Sequence, residues 1–314
     1  MSPVEDRVLA GVAVALSVVV ACGLVSTLGL ILARLGRRRM SRQEKWVAWA
    51  SVAMLGALVL AFEYAKHIEA NWLSETRVEL ETDRLPRGER LRIVLLSDLH
   101  VDDPSPVLDE LPARINALSP DLFVFTGDSI NRRDGAVLFR QLLGRFNARL
   151  GRFAVRGNHD VWYWSDIDLF GGGVATELTG DPITLDEGRI TLCGAPYARS
   201  DLLAPCLAGH AKGLRLVAYH TPDLVEDLAA LGEFAPDLYL AGHTHGGQVR
   251  APFFGALATA SRFYKRYEMG LYHVGPTTLF VSRGIGFEPA PSPRIRFLCR
   301  PELAVLDLIG TGAP

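Results

Sequence analysis

The chain has 314 residues, 49% of them hydrophobic, and a formal net charge of −2. A near-neutral balance lacks the basic footprint that nucleic-acid binding needs, so no nucleic acid is expected as a partner. The four cysteines are not an obvious disulfide framework.

Residues 8–33 contain no charged side chain, a run that exceeds a hydrocarbon core of about 30 Å. A cleaved signal peptide is the alternative, but the run is longer than an ordinary h-region and only Arg7 precedes it as a basic residue. A second apolar stretch covers 46–65 and is flanked by Trp46, Trp49, Tyr64 and Trp72, which suit a membrane interface. Without a polar stripe it reads less well as a buried soluble helix. Between the runs stand Arg34, Arg37, Arg38, Arg39, Arg42 and Lys45. Short basic loops stay cytoplasmic, so a helical hairpin with both ends outward is expected. Residues 1–75 are thus expected to form a two-helix anchor. Residues 76–314 would form one domain on the extracytoplasmic side of the cell membrane.

Past the hairpin, 77–81 alternates like an edge strand and 92–97 reads as a buried one. Helical spacing covers 106–118, with Val107, Leu111, Ile115 and Leu118 on one face, and a second helix is expected over about 136–149. Residues 169–182 read as loop, 190–194 as a strand and 224–231 as a helix. The tail holds strands at 278–282 and 302–308. Strands alternating with helices, then a strand-rich tail, predict an α/β fold: a two-sheet α/β/β/α sandwich behind the transmembrane hairpin. Cys22 lies within the first apolar run. Cys193 and Cys206 could pair in an oxidising space, but buried free thiols are the expectation for them and for Cys299.

Five apolar runs end in metal-ligand residue types. They lead into Asp98-Leu99-His100, Gly127-Asp128, Gly157-Asn158-His159-Asp160, His220, and Gly242-His243-Thr244-His245. Taken singly these are turn-like or chance fragments, since Gly-Asp is a common turn and a lone His is usually a hydrogen-bonded loop residue. Together they are a site, because functional groups gather beyond the carboxyl ends of strands in layered α/β proteins. Asp98, His100, Asp128, Asn158, His220, His243 and His245 supply seven candidate ligands. Carboxylates mixed with imidazoles suit Mn, Fe or Zn better than Ca or Mg. Seven ligands suit two divalent ions sharing a carboxylate, an arrangement that clamps the oxygens of an in-line phosphoryl displacement. No cysteine stands among them, which argues against a structural zinc site.

The ordered set D-x-H, G-D, G-N-H-D, H, G-H-x-H resembles the calcineurin-like metallophosphoesterases over residues 77–308. It is most similar to their membrane-anchored bacterial phosphodiesterase branch, through the GHTHGGQ stretch at 242–248 and VSRGIG at 281–286. The resemblance implies that Asp98, His100 and His245 hold one metal, that Asp128 bridges, and that Asn158, His220 and His243 complete the second. It implies that His159 faces the substrate as a catalytic group, with Asp160 holding its ring. Many relatives carry an acid shortly after Gly-Asp, where this chain has Ser129-Ile130-Asn131-Arg132-Arg133.

The expected activity is metal-dependent hydrolysis of phosphoric esters, falling at acidic pH because Asp and His ligands must shed protons to bind metal. The substrate is expected to be a phosphorylated small molecule or lipid. The apolar loop 251–258 could receive an acyl chain or simply pack, and 161–164 (Val-Trp-Tyr-Trp) could be a lid, a membrane-dipping loop or core. Two alternatives stand beside this reading. One is a lipid-nucleotide pyrophosphatase on the cytoplasmic face, such as a UDP-2,3-diacylglucosamine hydrolase; the other is a non-catalytic scaffold of the same fold.

Overall fold

The computed structural model describes residues 3–208, 213–289 and 292–313. It opens with two long apolar helices, α1 (Pro3–Arg34) and α2 (Arg42–Glu63), packed along one another. Ser41 starts α2 through a capping box: its hydroxyl accepts from the Glu44 N–H, and the Glu44 carboxylate accepts from the Ser41 N–H. That cap places the start of α2 before the uncharged run at 46. Past Glu63 the helix widens into a π-turn (Tyr64–Ile68) and then tightens into a 3-10 turn (Glu69–Asn71), so the helical segment runs past residue 65. Both helices are long and apolar enough to cross a membrane. A soluble core helix would bury this surface, yet Val14, Val25, Met54 and Leu60 are exposed.

After these helices come β1 (Ser74–Pro86), β2 (Arg90–Leu96), α3 (Pro106–Leu118), β3 (Leu122–Phe125), α4 (Gly135–Gly144), β4 (Gly151–Ala154), α5 (Asn158–Tyr163) and β5 (Thr176–Glu177). The second half runs β6 (Ile183–Leu185), β7 (Ile190–Gly194), α6 (Leu203–Leu207), β8 (Leu214–Ala218), α7 (Val225–Ala229) and β9 (Leu238–Ala241). It closes with β10 (Arg250–Ala251), β11 (Gly255–Ala256), β12 (Gly270–Val274), β13 (Thr277–Val281) and β14 (Glu302–Gly312).

Two six-stranded sheets stack face to face, ordered β1-β14-β2-β3-β4-β5 and β12-β13-β9-β8-β7-β6. Period-two alternation divides their side chains between two cores. Ile93, Leu95, Val124, Leu216, Leu240 and Phe280 meet between the sheets. On the outer face of the first sheet, Val94, Leu96, Phe123 and Phe125 pack with Leu111 and Ile115 of α3 and Phe139 of α4. On the second, Val217 and Tyr239 pack with Leu207 of α6 and Val225 of α7. The result is the four-layer α/β/β/α sandwich. β1 is the edge strand that the 77–81 alternation predicts, but longer, because it pairs in parallel with β14 from Ser74 onward.

Three expectations differ from the structure. The helix expected over 136–149 stops at Gly144, because the chain must turn to enter β4. The 169–182 loop contributes β5, which pairs with β4. Cys193 and Cys206 are not free thiols: they form a disulfide with Cα atoms 5.9 Å apart, joining β7 to α6. Cys299 is free and buried, as expected, while Cys22 is free and exposed on α1.

Candidate metal centre

β2, β3 and β4 run parallel in the first sheet, β8 and β9 in the second, and all five point their carboxyl ends at one place. Just beyond Leu96, Phe125, Ala154, Ala218 and Ala241 come Asp98, Asp128, Asn158, His220 and His243. Asp98, His100, Asp128, His243 and His245 all have φ between 43° and 71°. Left-handed backbone at non-glycine residues is costly and concentrates at functional sites. Two glycines permit the crowding. A methyl group on Gly242 would lie 2.4 Å from the Asp98 carboxylate, and one on Gly157 would lie 2.1 Å from Asp128 Oδ1.

Two groups of ligand atoms converge. Asp98, His100 and His245 form one; Asp98, Asp128 and His220 form the other, and all are buried. Asp98 is therefore common to both. Asp128 Oδ2 lies between them, 3.6 Å from His100 Nε2 and 3.3 Å from His220 Nε2. Asn158 Oδ1 is 2.8 Å from His220 Nε2, and His243 Nδ1 is 3.2 Å from the same nitrogen. All seven candidate ligands thus stand in one cluster.

The donors fit divalent cations. Asp128 Oδ2 is buried and accepts no hydrogen bond, an arrangement proteins avoid unless something else satisfies the oxygen. His220 Nδ1 lies 2.7 Å from the Thr126 carbonyl. A carbonyl only accepts, so Nδ1 holds the proton and Nε2 turns inward, as a ligating imidazole requires. His100 does likewise with Asn131 Oδ1 at 2.7 Å. Its Nε2 then faces His245 Nε2 at 3.2 Å, a contact that a shared cation relieves. Burial alone would lower the His220 pKa, but the Asp128 carboxylate overrides it and pushes the value up to about 10. His100 and His243 go the other way, because burial dominates.

His159 stands beside this cluster on the first turn of α5, with its ring 5.1 Å from that of His100. Asp160 does not hold it. The Asp160 carboxylate accepts from the backbone N–H groups of Gly157, Asp128 and Ser129 and from the Ser129 hydroxyl, clamping the β3 and β4 loops together. Burial and the nearby Asp128 raise its pKa to about 6. The ring partner is Glu288, whose Oε2 is 3.4 Å from His159 Nε2 and whose Oε1 is 3.4 Å from His245 Nε2. Burial opposes protonation of His159, but the Glu288 and Asp128 carboxylates prevail and its pKa rises.

Sequence reasoning missed Asn131, Glu288 and Arg296. Arg296 is buried, with Nη2 3.4 Å from His245 Nδ1. Glu288 follows the VSRGIG stretch by two residues, and the Gly286 N–H hooks that loop onto the Asp98 carbonyl at 2.7 Å. Arg132 and Arg133 remain exposed and pair with Asp134 and Asp166.

The calcineurin-like phosphoesterase family profile matches residues 91–247. The uncharacterized metallophosphoesterase YkuE of Bacillus subtilis is 30% identical over 299 residues, covering 87% of this chain and 99% of YkuE. The chain belongs to the calcineurin-like phosphoesterase family. Phosphodiesterase YaeI of Escherichia coli is 28% identical, over 79% of this chain and 93% of YaeI. UDP-2,3-diacylglucosamine pyrophosphatase LpxG of Chlamydia muridarum is 38% identical over 127 residues, 38% of each chain. This phosphoesterase is thus a metal-dependent hydrolase of phosphoric esters with a dinuclear divalent centre, and its apolar helices associate it with a membrane.

Proposed function

We propose that the enzyme hydrolyses a phosphodiester or pyrophosphate bond of a lipid at the membrane interface. The observation that carries this is the path from helix to centre. The Arg296 N–H donates to the Ala65 carbonyl and the Cys299 N–H to Glu69, both at the end of the second apolar segment. Arg296 and Cys299 in turn contact His245. A headgroup phosphate therefore has little distance to cross between the bilayer surface and the ligands.

In this reading residues 1–75 anchor the domain of residues 76–314. Asp98, His100 and His245 hold one ion, Asn158, His220 and His243 hold the other, and Asp128 lies between. Bound divalent ions supply Lewis acidity, lowering the pKa of water and neutralising phosphoryl oxygens. His159, kept protonated by Glu288, gives its Nε2 proton to the leaving oxygen. Asp160 keeps the Asp128 and Asn158 loops in register. Tyr163 and Trp162, whose rings lie 5.5 Å and 6.3 Å from that of His159, form an exposed aromatic wall for the leaving group.

The basic interhelical loop supports a catalytic face outside the cytoplasm. The Cys193–Cys206 disulfide favours the same side, since such bonds persist in oxidising compartments. A cytoplasmic lipid-nucleotide pyrophosphatase is the second reading, favoured by the likeness to LpxG.

Release of p-nitrophenol from bis-p-nitrophenyl phosphate, with Mn and with EDTA, tests the chemistry. A panel of lipid, nucleotide and wall phosphates tests the substrate. Asp128→Asn should keep a cooperative melting curve while losing bound metal, read by plasma emission, and losing hydrolysis. Near-normal turnover in that variant would contradict the proposed role of Asp128 between the two ions.

A further inference from the structure

We propose that the domain surface around the exit of the second apolar helix is a lipid-docking face. Ile68, Trp72, Phe253, Phe254 and Leu298 would enter the headgroup region of the same membrane that holds the helices. This rests on the membrane reading above and adds which surface of the domain lies against the bilayer.

The surface is continuous with the helix end. Arg296 and Cys299 are hydrogen-bonded to Ala65 and Glu69. The same segment docks on the β10–β11 hairpin, where Val249 bridges to Phe297 and the Arg250 N–H donates to the Phe297 carbonyl at 2.9 Å. Hairpin and helix exit are therefore joined through five consecutive residues, 296–300. At the hairpin tip Phe253 is fully exposed, and Phe254, Leu298, Trp72 and Ile68 are each at least 45% exposed. Single exposed apolar residues are ordinary, but several large ones on segments tied to one helix exit mark an interaction surface.

Cations are interleaved with the rings. The Arg300 guanidinium lies 3.4 Å from the centre of the Trp72 ring, and Lys265 Nζ lies 3.6 Å from that of Phe254. Aromatic rings capped by Arg and Lys match a bilayer interface, where the ring enters the acyl boundary and the cation meets phosphate. A soluble partner protein would match the apolar residues, but nothing would tie it to the helix exit. The face also adjoins the reaction centre, since Arg296 touches His245 from this segment. Docking would hold the centre at headgroup depth.

The test uses the full chain with Cys22→Ala, reconstituted in phosphatidylcholine–phosphatidylglycerol vesicles. Phe253→Cys carries an environment-sensitive fluorophore, and Val137→Cys, exposed on α4 in the outer layer, serves as reference. The label at 253 should be blue-shifted and strongly quenched by brominated lipid, while the label at 137 should report water. Equal, water-like signals at both positions would overturn the proposal, as would failure of the chain to incorporate into vesicles. Separately, Phe253→Asp with Phe254→Asp should raise KM for a vesicle-borne lipid phosphodiester by about fivefold, with bis-p-nitrophenyl phosphate turnover unchanged. An unchanged KM for the vesicle substrate would count against docking. If the unsubstituted protein cleaves no lipid, the substrate reading falls, while the label at 253 still decides the docking face.

Discussion

Histidine and carboxylate side chains in this centre are held by partners that set what each can do. Two imidazoles turn Nε2 inward because Thr126 and Asn131 oxygens accept hydrogen bonds from their Nδ1–H groups. His159 is different: its ring leans on Glu288, whose carboxylate favours the protonated imidazole. His159→Ala should therefore retain close to full metal content yet lose about 10²–10⁴-fold in turnover, with a smaller loss for good leaving groups. Loss of metal would instead make His159 a ligand. Asp160→Asn should behave otherwise. It leaves buried N–H donors of Gly157, Asp128 and Ser129 without a full set of acceptors, at a cost of about 1–3 kcal/mol. Chemical unfolding of the purified variant measures this, and unchanged stability would remove the clamp role.

Strands and helices put these residues within reach of one another. The five strand ends were readable because buried parallel strands are unbroken apolar runs, and a polar residue just past each run stands out. α3 was equally plain: Ser105 caps it and Pro106 suits its first turn. β5 and the β10–β11 pair were not, since two-residue strands carry no periodicity of their own. The Cys193–Cys206 link between β7 and α6 also escaped, because spacing alone cannot report whether two thiols face each other. Replacing both cysteines by serine should cost about 2–4 kcal/mol in urea unfolding, as expected for closing a short loop. A change near zero would mean that the core around Leu203 and Leu207 carries that corner unaided.

At the scale of the whole molecule, two apolar helices lead directly into a four-layer sandwich whose centre adjoins their exit. The proposed outward orientation is supported by the basic loop at residues 34–45, where six Lys and Arg residues stand. A reporter active only outside the cytoplasm, fused after Pro314, should be active, and one fused near Met40 should be silent. The reverse pattern would place the centre on the cytoplasmic face and bring the lipid-nucleotide pyrophosphatase reading forward.

The sequence by itself determined the candidate ligand types, their order and the strands that end in them, because each is local: an apolar run, a turn and a side chain able to coordinate within a few residues. It also marked the apolar helices, for the same reason. Only the tertiary structure decided which groups meet. Glu288 approaches His159 from more than a hundred residues away, and Asp160, its next neighbour in the chain, turns instead to the Asp128 loop. Arg296 links the helix exit to His245 in the same manner. Such pairings depend on where two separate loops lie after the sheets have stacked. No period or motif within either loop encodes the distance between them.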